Sequence, residues 1–398
     1  MNWPTMSLSE AQVAVLDCEH RTPPAADSGH PYIAIPEIRD GVIHIEESRR
    51  ITTAHLLDWT RRTKPAIGDI VVTRRARVGD SAPIPVEDAA IGQNLVILRS
   101  SGSRVDQTFL RWAVRSPTWW NEVERWRNVG AVFTSLNVKD ITRMEVPIPP
   151  LHTQRAIAEV LGALDDKIAA NARLGDVALQ LADAEFQRAR SGAERVGMAF
   201  DDVATVAGGA TPSTKVPEYW DGDVPWATPT DVTALRAPYL DDTQRKITDL
   251  GLEKCSSALY PIDSILMTSR ATIGAFALAK VPVAVNQGFI VVQAKNRSAQ
   301  YWLLHEMRHR VNDFLLYANG ATFLELSKSK FKAIEVLWPT DNAMFEGFDS
   351  HARSLHDRAY ASQVESRQLA ALRDTLLPHL MSGRITVREA EKRVEGVL

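Results

Sequence analysis

The sequence has little cysteine and no long apolar run, and these absences exclude several classes of protein. Its two cysteines among 398 residues, Cys18 and Cys255, are far apart and outside any C-x-x-C pair. They indicate neither a disulfide framework nor a cysteine zinc site. The longest apolar run, AFALAKVPVAV from residue 275, contains a lysine and a proline and is too short to span a bilayer. Since MNWPTMSLSE at the start also lacks the apolar core of a secretion signal, we expect a cytoplasmic protein.

An excess of charge of either sign is also missing, because the formal net charge is only −3. This balance argues against a basic surface along the whole chain, although a local patch remains possible. Residues 49–77 contain eight arginines or lysines against Asp58 and Asp69 only. With 45% apolar and 24% charged residues, the chain has the composition of a globular protein with two or more cores.

The chain contains an internal repeat with a period near 190 residues. Three blocks recur in the same order, and the first pair shares identical threonine, arginine, alanine and glycine residues. The paired blocks are GDIVVTRRARVG (68–79) with DSILMTSRATIG (263–274), AIGQNLVIL (90–98) with AVNQGFIVV (284–292), and GAVFTSLNVKDITRMEV (130–146) with GATFLELSKSKFKAIEV (320–336). A conserved order over three blocks predicts two domains of the same fold.

A long helix is predicted after each repeat. Prolines at 147, 149 and 150 exclude a helix before that point, and apolar residues then follow at the coiled-coil spacing of four, three and four. The seam residues are Ile157, Leu161, Leu164 and Ile168 in the first helix, and Leu355, Leu369, Leu372 and Leu376 in the second. Asn171 continues the first seam, where it is either buried and fixes the register or exposed on a curved helix. We expect the two helices to pair antiparallel.

These patterns predict an α+β fold with two tandem repeated domains separated by two long antiparallel coiled-coil helices. Short helices are expected near 106–116 and 299–317, among short strands. The predicted segments are a first domain at 1–146, a central helix at 147–190, a second domain at 191–338, a distal helix at 339–385 and a C-terminal tail at 386–398.

One short segment suggests a different function. HEMRH at 305–309 matches the H-E-x-x-H of zinc peptidases, in which His305 and His309 would bind the metal and Glu306 would act as the base. However, the first repeat has Trp112 and Ser116 at the matching positions, and no third ligand follows at a recognisable spacing. A zinc-dependent hydrolase is therefore the alternative hypothesis. We find no other catalytic constellation and expect a chain without catalytic residues.

Two polar patches suit DNA, because arginine can bind guanine with two hydrogen bonds and glutamine or asparagine can do so with adenine. In the first domain these candidates are Arg74, Arg75, Arg77, Gln93 and Asn94. In the second they are Ser269, Arg270, Thr272, Asn286, Gln287, Lys328 and Lys330, with Lys332 in the same cluster. The alternative for each is a solvated loop residue.

Three segments carry a family resemblance. PIPPLHTQRAIAEVLGALDDKIAANARL (147–174) resembles the central conserved region of Type I restriction-modification specificity subunits. FDDVATVAGGATPSTKVPEYWDGDVPWATPTDV (200–232) looks like the entry to a target-recognition domain of that family, and LLPHLMSGRI (376–385) like its distal helix end. The first domain opens differently, although Thr22 and Pro23 can be paired with Thr211 and Pro212.

The resemblance implies a subunit without catalytic activity that binds double-stranded DNA. Each target-recognition domain would read one half of a split target, while the helices set the gap and hold two adenine-methyltransferase (modification) subunits. S-adenosylmethionine would bind in those partners. A restriction/translocase subunit, where one joins, would use ATP and Mg. No cofactor or metal is expected in this chain.

Overall fold

The computed structural model describes residues 3–130, 134–319 and 324–396. Helices and sheets are mixed throughout, which confirms the α+β class. The chain divides into two compact units, Met1–Ile168 with Arg367–Leu398 (unit 1), and Ala169–Ser366 (unit 2). Parts of the third repeat block, 131–133 and 320–323, lie outside the described residues. Within the described ranges, no helix is long and apolar enough to cross a membrane.

Two long helices, each shared by both units, confirm the predicted helical segments. The central helix is Leu151–Gly192 and the distal helix is Asn342–Ser382. The central helix begins directly after Pro149 and Pro150, as the proline pattern predicts.

Unit 1 otherwise consists of short strands and helices. Its strands are Thr5–Ser7, Val13–Asp17, His30–Ile33, Ile38–Arg39, Val42–Ile43, Arg49–Ile51, Ile70–Thr73, Ser81–Pro83, Ala90–Ile91, Leu95–Ser100, Asn128–Val129, Thr134–Ser135 and Glu145–Pro147. Its helices are Ile45–Glu47 (3₁₀), Thr53–Trp59, Gln107–Ala113, Pro117–Trp126, Val138–Ile141 and Val387–Glu395.

Unit 2 has a closely similar set of elements. Its strands are Arg195–Ala199, Ala204–Ala207, Trp220–Ala227, Tyr239–Leu240, Arg245–Ile247, Ile265–Thr268, Phe276–Ala279, Ala284–Val285, Phe289–Ala294 and Glu335–Pro339. Its helices are Phe200–Val203, Pro217–Tyr219 (3₁₀), Pro229–Thr233, Asp249–Glu253, Arg297–Ala299 (3₁₀), Gln300–His309, Val311–Tyr317 and Lys328–Ala333.

The sheets show the repeat in their strand pairing. In unit 1, Leu95–Ser100 lies antiparallel between Val13–Asp17 and Ile70–Thr73. In unit 2, Phe289–Ala294 lies in the same way between Ala204–Ala207 and Ile265–Thr268. A parallel pair also recurs, joining Tyr32 to Ala90 in unit 1 and Trp226 to Ala284 in unit 2. The two domains therefore share one fold, as the sequence repeat predicts.

The long helices pair antiparallel within each unit. In unit 2, Asn171 Nδ2 donates to Glu365 Oε2 at 2.9 Å, and Glu185 lies 3.8 Å from His351. Residue numbers thus increase along one helix and decrease along the other, as in an antiparallel pair. Asn171 is only 3% exposed, so of the two alternatives it is buried on the seam and not exposed on a curved helix. The predicted seam residues are all buried or half-buried: Ile157, Leu161, Leu164, Ile168, Leu355, Leu369, Leu372 and Leu376.

The segment predicted as a C-terminal tail instead contains a helix, Val387–Glu395. Thr386 and Glu389 cap its first turn reciprocally, and Ala390 is completely buried in the hydrophobic core of unit 1. The T-x-x-E signal of this capping box was present in the sequence and would have indicated the helix start.

Candidate nucleic-acid interface

A tight turn follows the same strand in both domains. Thr73 N donates to Asp80 O at 2.9 Å, and Thr268 N donates to Ala275 O at 2.9 Å. The threonine hydroxyls also donate to backbone carbonyls inside the turns, those of Arg77 and Thr272. The turns hold Arg75 and Arg270 exposed at equivalent positions.

Left-handed backbone closes both turns. Ala76 and Ala271 have φ of 58° and 56°, and Gly79 and Gly274 have φ of 92° and 88°. Alanine rarely adopts this conformation, and its occurrence at both positions shows that the turn geometry itself is repeated.

The three repeat blocks meet beside each turn. In the first domain, Arg74 N donates to Asn94 O at 2.8 Å and Leu136 N donates to Arg74 O at 3.0 Å. The second domain repeats the pattern, since Ser269 accepts from Leu326 N at 3.0 Å and donates to Gly288 O at 2.8 Å. Residues that are distant in sequence are thus brought to one place in each domain.

The first domain offers Arg75 and Gln93 as accessible side chains. Both are exposed, and neither side chain has a hydrogen-bond or ion-pair partner among the described residues. Asn94 is half-buried with φ of 69°, and its carbonyl is used by the neighbouring strand. An exposed arginine and an exposed glutamine near one turn can each donate hydrogen bonds to base edges.

Arg74 and Arg77 have structural contacts instead. Arg74 Nε donates to Leu136 O at 3.0 Å, and its guanidinium lies 3.6 Å from Asp17. Arg77 donates to the carbonyls of Ile35, at 2.6 Å, and of Ile38. These contacts stabilise the loops beside the turn, so contacts to DNA would have to compete with them.

In the second domain, five of the candidate residues line one surface cleft of about 610 Å³, namely Ser269, Arg270, Gln287, Lys328 and Lys332. Ser269 is only 3% exposed and contributes mainly its backbone. Arg270 and Glu325 form an ion pair at 2.8 Å in which each side chain is 44% exposed. The cleft therefore presents cationic and amide groups, and one carboxylate holds the arginine.

The other predicted residues lie near the cleft with more local roles. Asn286 Oδ1 accepts from Gly288 N at 2.8 Å, and Thr272 is exposed with its carbonyl bonded inside the turn. Lys330 Nζ donates to Tyr317 O at 3.3 Å, whereas Lys332, which lines the cleft itself, pairs with Asp201 at 3.0 Å. Thr211 was not among the predicted site residues, but its hydroxyl donates to Gln287 Oε1 at 2.7 Å.

The HEMRH segment belongs to the core of unit 2. His305 is fully buried, and its two ring nitrogens lie 3.2 Å from Asp183 Oδ1 and 3.1 Å from His356 Nε2. Glu306 is 1% exposed and forms an ion pair with Arg190 at 3.1 Å. Because these atoms already have partners, the segment lacks the free ligands and the free base that a zinc hydrolase requires.

Elsewhere in the described ranges, one group has the spacing of metal ligands, formed by Asp17, Cys18 and His20. Arg62 and Arg74 lie 3.3 and 3.6 Å from the Asp17 carboxylate. Two guanidinium groups beside the only carboxylate of this group disfavour a bound cation.

The family model "Type I restriction modification DNA specificity domain" matches residues 21–177 and 197–360. The chain belongs to this family. Both matched stretches contain one copy of the repeated turn, so the family domain occurs twice. No comparison supports the hydrolase alternative.

Curated relatives in this family are similar over parts of their length. The Type I restriction enzyme MjaIX specificity subunit of Methanocaldococcus jannaschii is 39% identical over 141 residues, covering 35% of this chain and 33% of that protein. The HindI specificity subunit of Haemophilus influenzae is 25% identical over 190 residues, covering 47% and 41%. These alignments span about a third to two-fifths of each relative's length.

A solved structure shares the fold over nearly the whole chain. The Type-I restriction-modification system S subunit from M. genitalium superposes with a TM-score of 0.65 at 15% identity, covering 96% of both chains. At this identity the match shows a common fold, and side-chain roles must be argued from this chain's own geometry.

Proposed function

We propose that this chain is the DNA sequence-recognition subunit of a Type I restriction-modification complex, in which each domain reads one half of a bipartite target. The observation that supports this most directly is the repeated turn, which exposes Arg75 near Gln93 in one domain and Arg270 near Gln287 in the other. Arginine and glutamine are the side chains that bind guanine and adenine most specifically in the major groove. The two turns are equivalent but the loops around them differ, so the two domains are suited to two DNA half-sites of different sequence.

The long helices would set the gap between half-sites and bind two adenine-methyltransferase subunits. Leu174, Val177 and Leu181 support this role, because they are 36, 59 and 47% exposed at helical spacing along the central helix. An exposed apolar stripe of this kind fits a protein partner. The partners supply S-adenosylmethionine chemistry, and a restriction/translocase subunit supplies ATP- and Mg-dependent cleavage. This chain itself has no catalytic role and acts in the cytoplasm.

The test is to co-express the chain with its modification subunit in a host without adenine methylation, and then to map methylated adenines across the genome. We expect one bipartite motif with a fixed gap. Methylation without such a motif, or methylation by the purified chain alone, would contradict the proposal.

Arg75→Ala and Arg270→Ala are each expected to weaken specific DNA binding by about 1–3 kcal/mol, if the side chain forms two hydrogen bonds to a base. Each substitution should relax its own half of the motif, because the two turns belong to different domains. Binding titrations on oligonucleotides with one altered half-site measure the effect. Arg74→Ala is not a matched control, because Arg74 holds a backbone carbonyl; Arg188→Ala, at an exposed position of the central helix without a side-chain partner among the described residues, is the better one. If both variants lost the same half, the assignment would be wrong.

Glu325→Gln is expected to strengthen DNA binding. The substitution removes a negative charge from the cleft and weakens the ion pair that holds Arg270. Since phosphates repel carboxylates and bind free guanidinium groups, affinity should rise by roughly 2- to 5-fold at low salt. Titration at several salt concentrations checks this, with the exposed Glu124→Gln as the matched charge control. Equal affinities for Glu325→Gln and the parent would show that Arg270 does not contact DNA.

A further inference from the structure

Thr211 and Gln287 form a hydrogen bond between two exposed side chains, with the Thr211 hydroxyl donating to Gln287 Oε1 at 2.7 Å. An exposed pair of this kind is normally lost to solvent unless both backbones are fixed. Both are fixed here, by contacts that come from different parts of the second domain.

The segment 208–213, which carries Thr211, is held by aromatic donors. Trp226 Nε1 donates to Ala210 O at 3.1 Å and Trp220 Nε1 donates to Ser213 O at 3.2 Å. Gly209 lies so close to the next strand that a Cβ atom there would be 1.8 Å from the carbonyl oxygen of Val285. The loop is therefore rigid although its threonine is exposed.

The turn that carries Gln287 is equally constrained. Asn286 Oδ1 accepts from Gly288 N at 2.8 Å, and Asn286 N donates to Ala227 O at 3.0 Å. Gly288 is also packed against Pro229, since a Cβ atom there would lie 2.7 Å from the proline ring. With both backbones fixed, the hydroxyl holds the glutamine side chain in place, with Oε1 as the atom that accepts from it.

We infer that Thr211 is a positioning residue that presents the amide of Gln287 to adenine in the second half-site, an inference that rests on the proposed function. With Oε1 turned to the hydroxyl, Nε2 has no acceptor among the described residues and can donate to adenine N7. The remaining lone pair of Oε1 accepts from adenine N6, which completes the two-bond contact. Guanine offers only acceptors on this edge and is disfavoured.

The first domain lacks this device. Gln93 occupies the equivalent position, but its side chain forms no hydrogen bond with any described residue, and Thr22, which pairs with Thr211 in the sequence, is exposed without one. Thr22→Val is therefore a matched control for Thr211→Val. The two glutamines should differ in how strongly they discriminate between bases.

The experiment uses the full chain co-expressed with its modification subunit, with methylated adenines mapped across the host genome. Thr211→Val should raise the fraction of methylated sites with a wrong base at one adenine of the second half-site by roughly 3- to 10-fold, the worth of one hydrogen bond. Thr211→Ser, which keeps the hydroxyl, should restore the wild-type motif. Gln287→Leu should relax the same position more strongly, and Thr22→Val should change nothing. Equal thermal midpoints for Thr211→Val and wild type verify that folding is unaffected.

Several results would overturn the inference alone: an unchanged motif in Thr211→Val, relaxation of different positions by Thr211→Val and Gln287→Leu, or a second half-site without adenine at the affected position. A wild-type chain that directs no bipartite methylation would instead overturn the proposed function, and this inference with it. The two failures are therefore distinguishable.

Discussion

Asp165→Ala is expected to lower the free energy of unfolding of unit 1 by about 3–5 kcal/mol, the usual cost of removing one partner from a buried ion pair. Asp165 lies on the central helix and accepts from Arg373 of the distal helix at 2.6 Å and from Arg111 of the helix Gln107–Ala113. The carboxylate is 12% exposed and Arg373 is 13% exposed. One acidic side chain thus joins three helices.

The loss is expected to be large because positive charge is already in excess there. Burial and then the neighbouring Arg373 lower the pKa of Arg115, while Asp165 acts in the opposite direction. Chemical denaturation of the full chain measures the effect, and Asp166→Ala, an exposed neighbour, should change stability by less than about 0.5 kcal/mol. Equal losses in the two variants would refute this role for Asp165.

His356→Ala is expected to destabilise unit 2 by about 3–5 kcal/mol, because it leaves a cavity and deprives two buried groups of their partners. His356 is fully buried, with Nε2 3.1 Å from His305 Nε2 and Nδ1 2.9 Å from the hydroxyl of Tyr239. His305 in turn contacts Asp183 of the central helix. His351→Ala is the control, since its side chain is 71% exposed.

One arrangement of protons satisfies the whole chain of contacts. Tyr239 donates to His356 Nδ1, His356 Nε2 donates to His305 Nε2, and His305 Nδ1 donates to the Asp183 carboxylate. Both histidines are then neutral. Burial of both rings disfavours the charged imidazolium form of either histidine.

The stability of unit 2 should consequently depend on pH. Burial lowers the pKa of His305, and burial with the positive charges of Arg308 and Lys280 lowers that of His356 well below its ordinary value. A lowered folded-state pKa means that the stabilisation is complete above the unfolded value, near pH 6.5, and is lost as the pH falls below it. The expected slope is up to about 1.4 kcal/mol per pH unit for each histidine.

Asp183 titrates much lower. Its hydrogen bond with His305 is the main cause that brings its pKa to about 2, so its contribution is complete above the unfolded value near pH 4 and disappears only as the pH falls towards 2. The histidine effect should therefore be measured between about pH 6.5 and 4.5. Wild-type and His356→Ala proteins with the same slope in this window would show that the histidines do not control it.

The sequence was sufficient for the repeat and the helices, because these depend on local periodicity. The alignment of Arg75 with Arg270 placed both at equivalent exposed positions. The sequence could not show that Arg75 is free to bind DNA while Arg77 has structural contacts. The partners of Arg77 are carbonyl groups about 40 residues away, which only the fold brings near. The same limit applies to His305. Its local spacing resembled that of a metal ligand, but its contacts come from two other helices that are distant in sequence.

Asp165 and Asp183 both connect the central helix to other helices, Asp165 through arginines and Asp183 through histidines. The described contacts of Asp165 in unit 1 are ion pairs with arginines and include no histidine, and because they are largely buried, dissolved salt screens them only weakly. The neutral imidazole pair in unit 2 responds little to salt and fails in mild acid. The two units should therefore lose their stability under different conditions. If each unit reads one half-site as proposed, a moderately acidic buffer should weaken recognition of the half-site of unit 2 before that of unit 1.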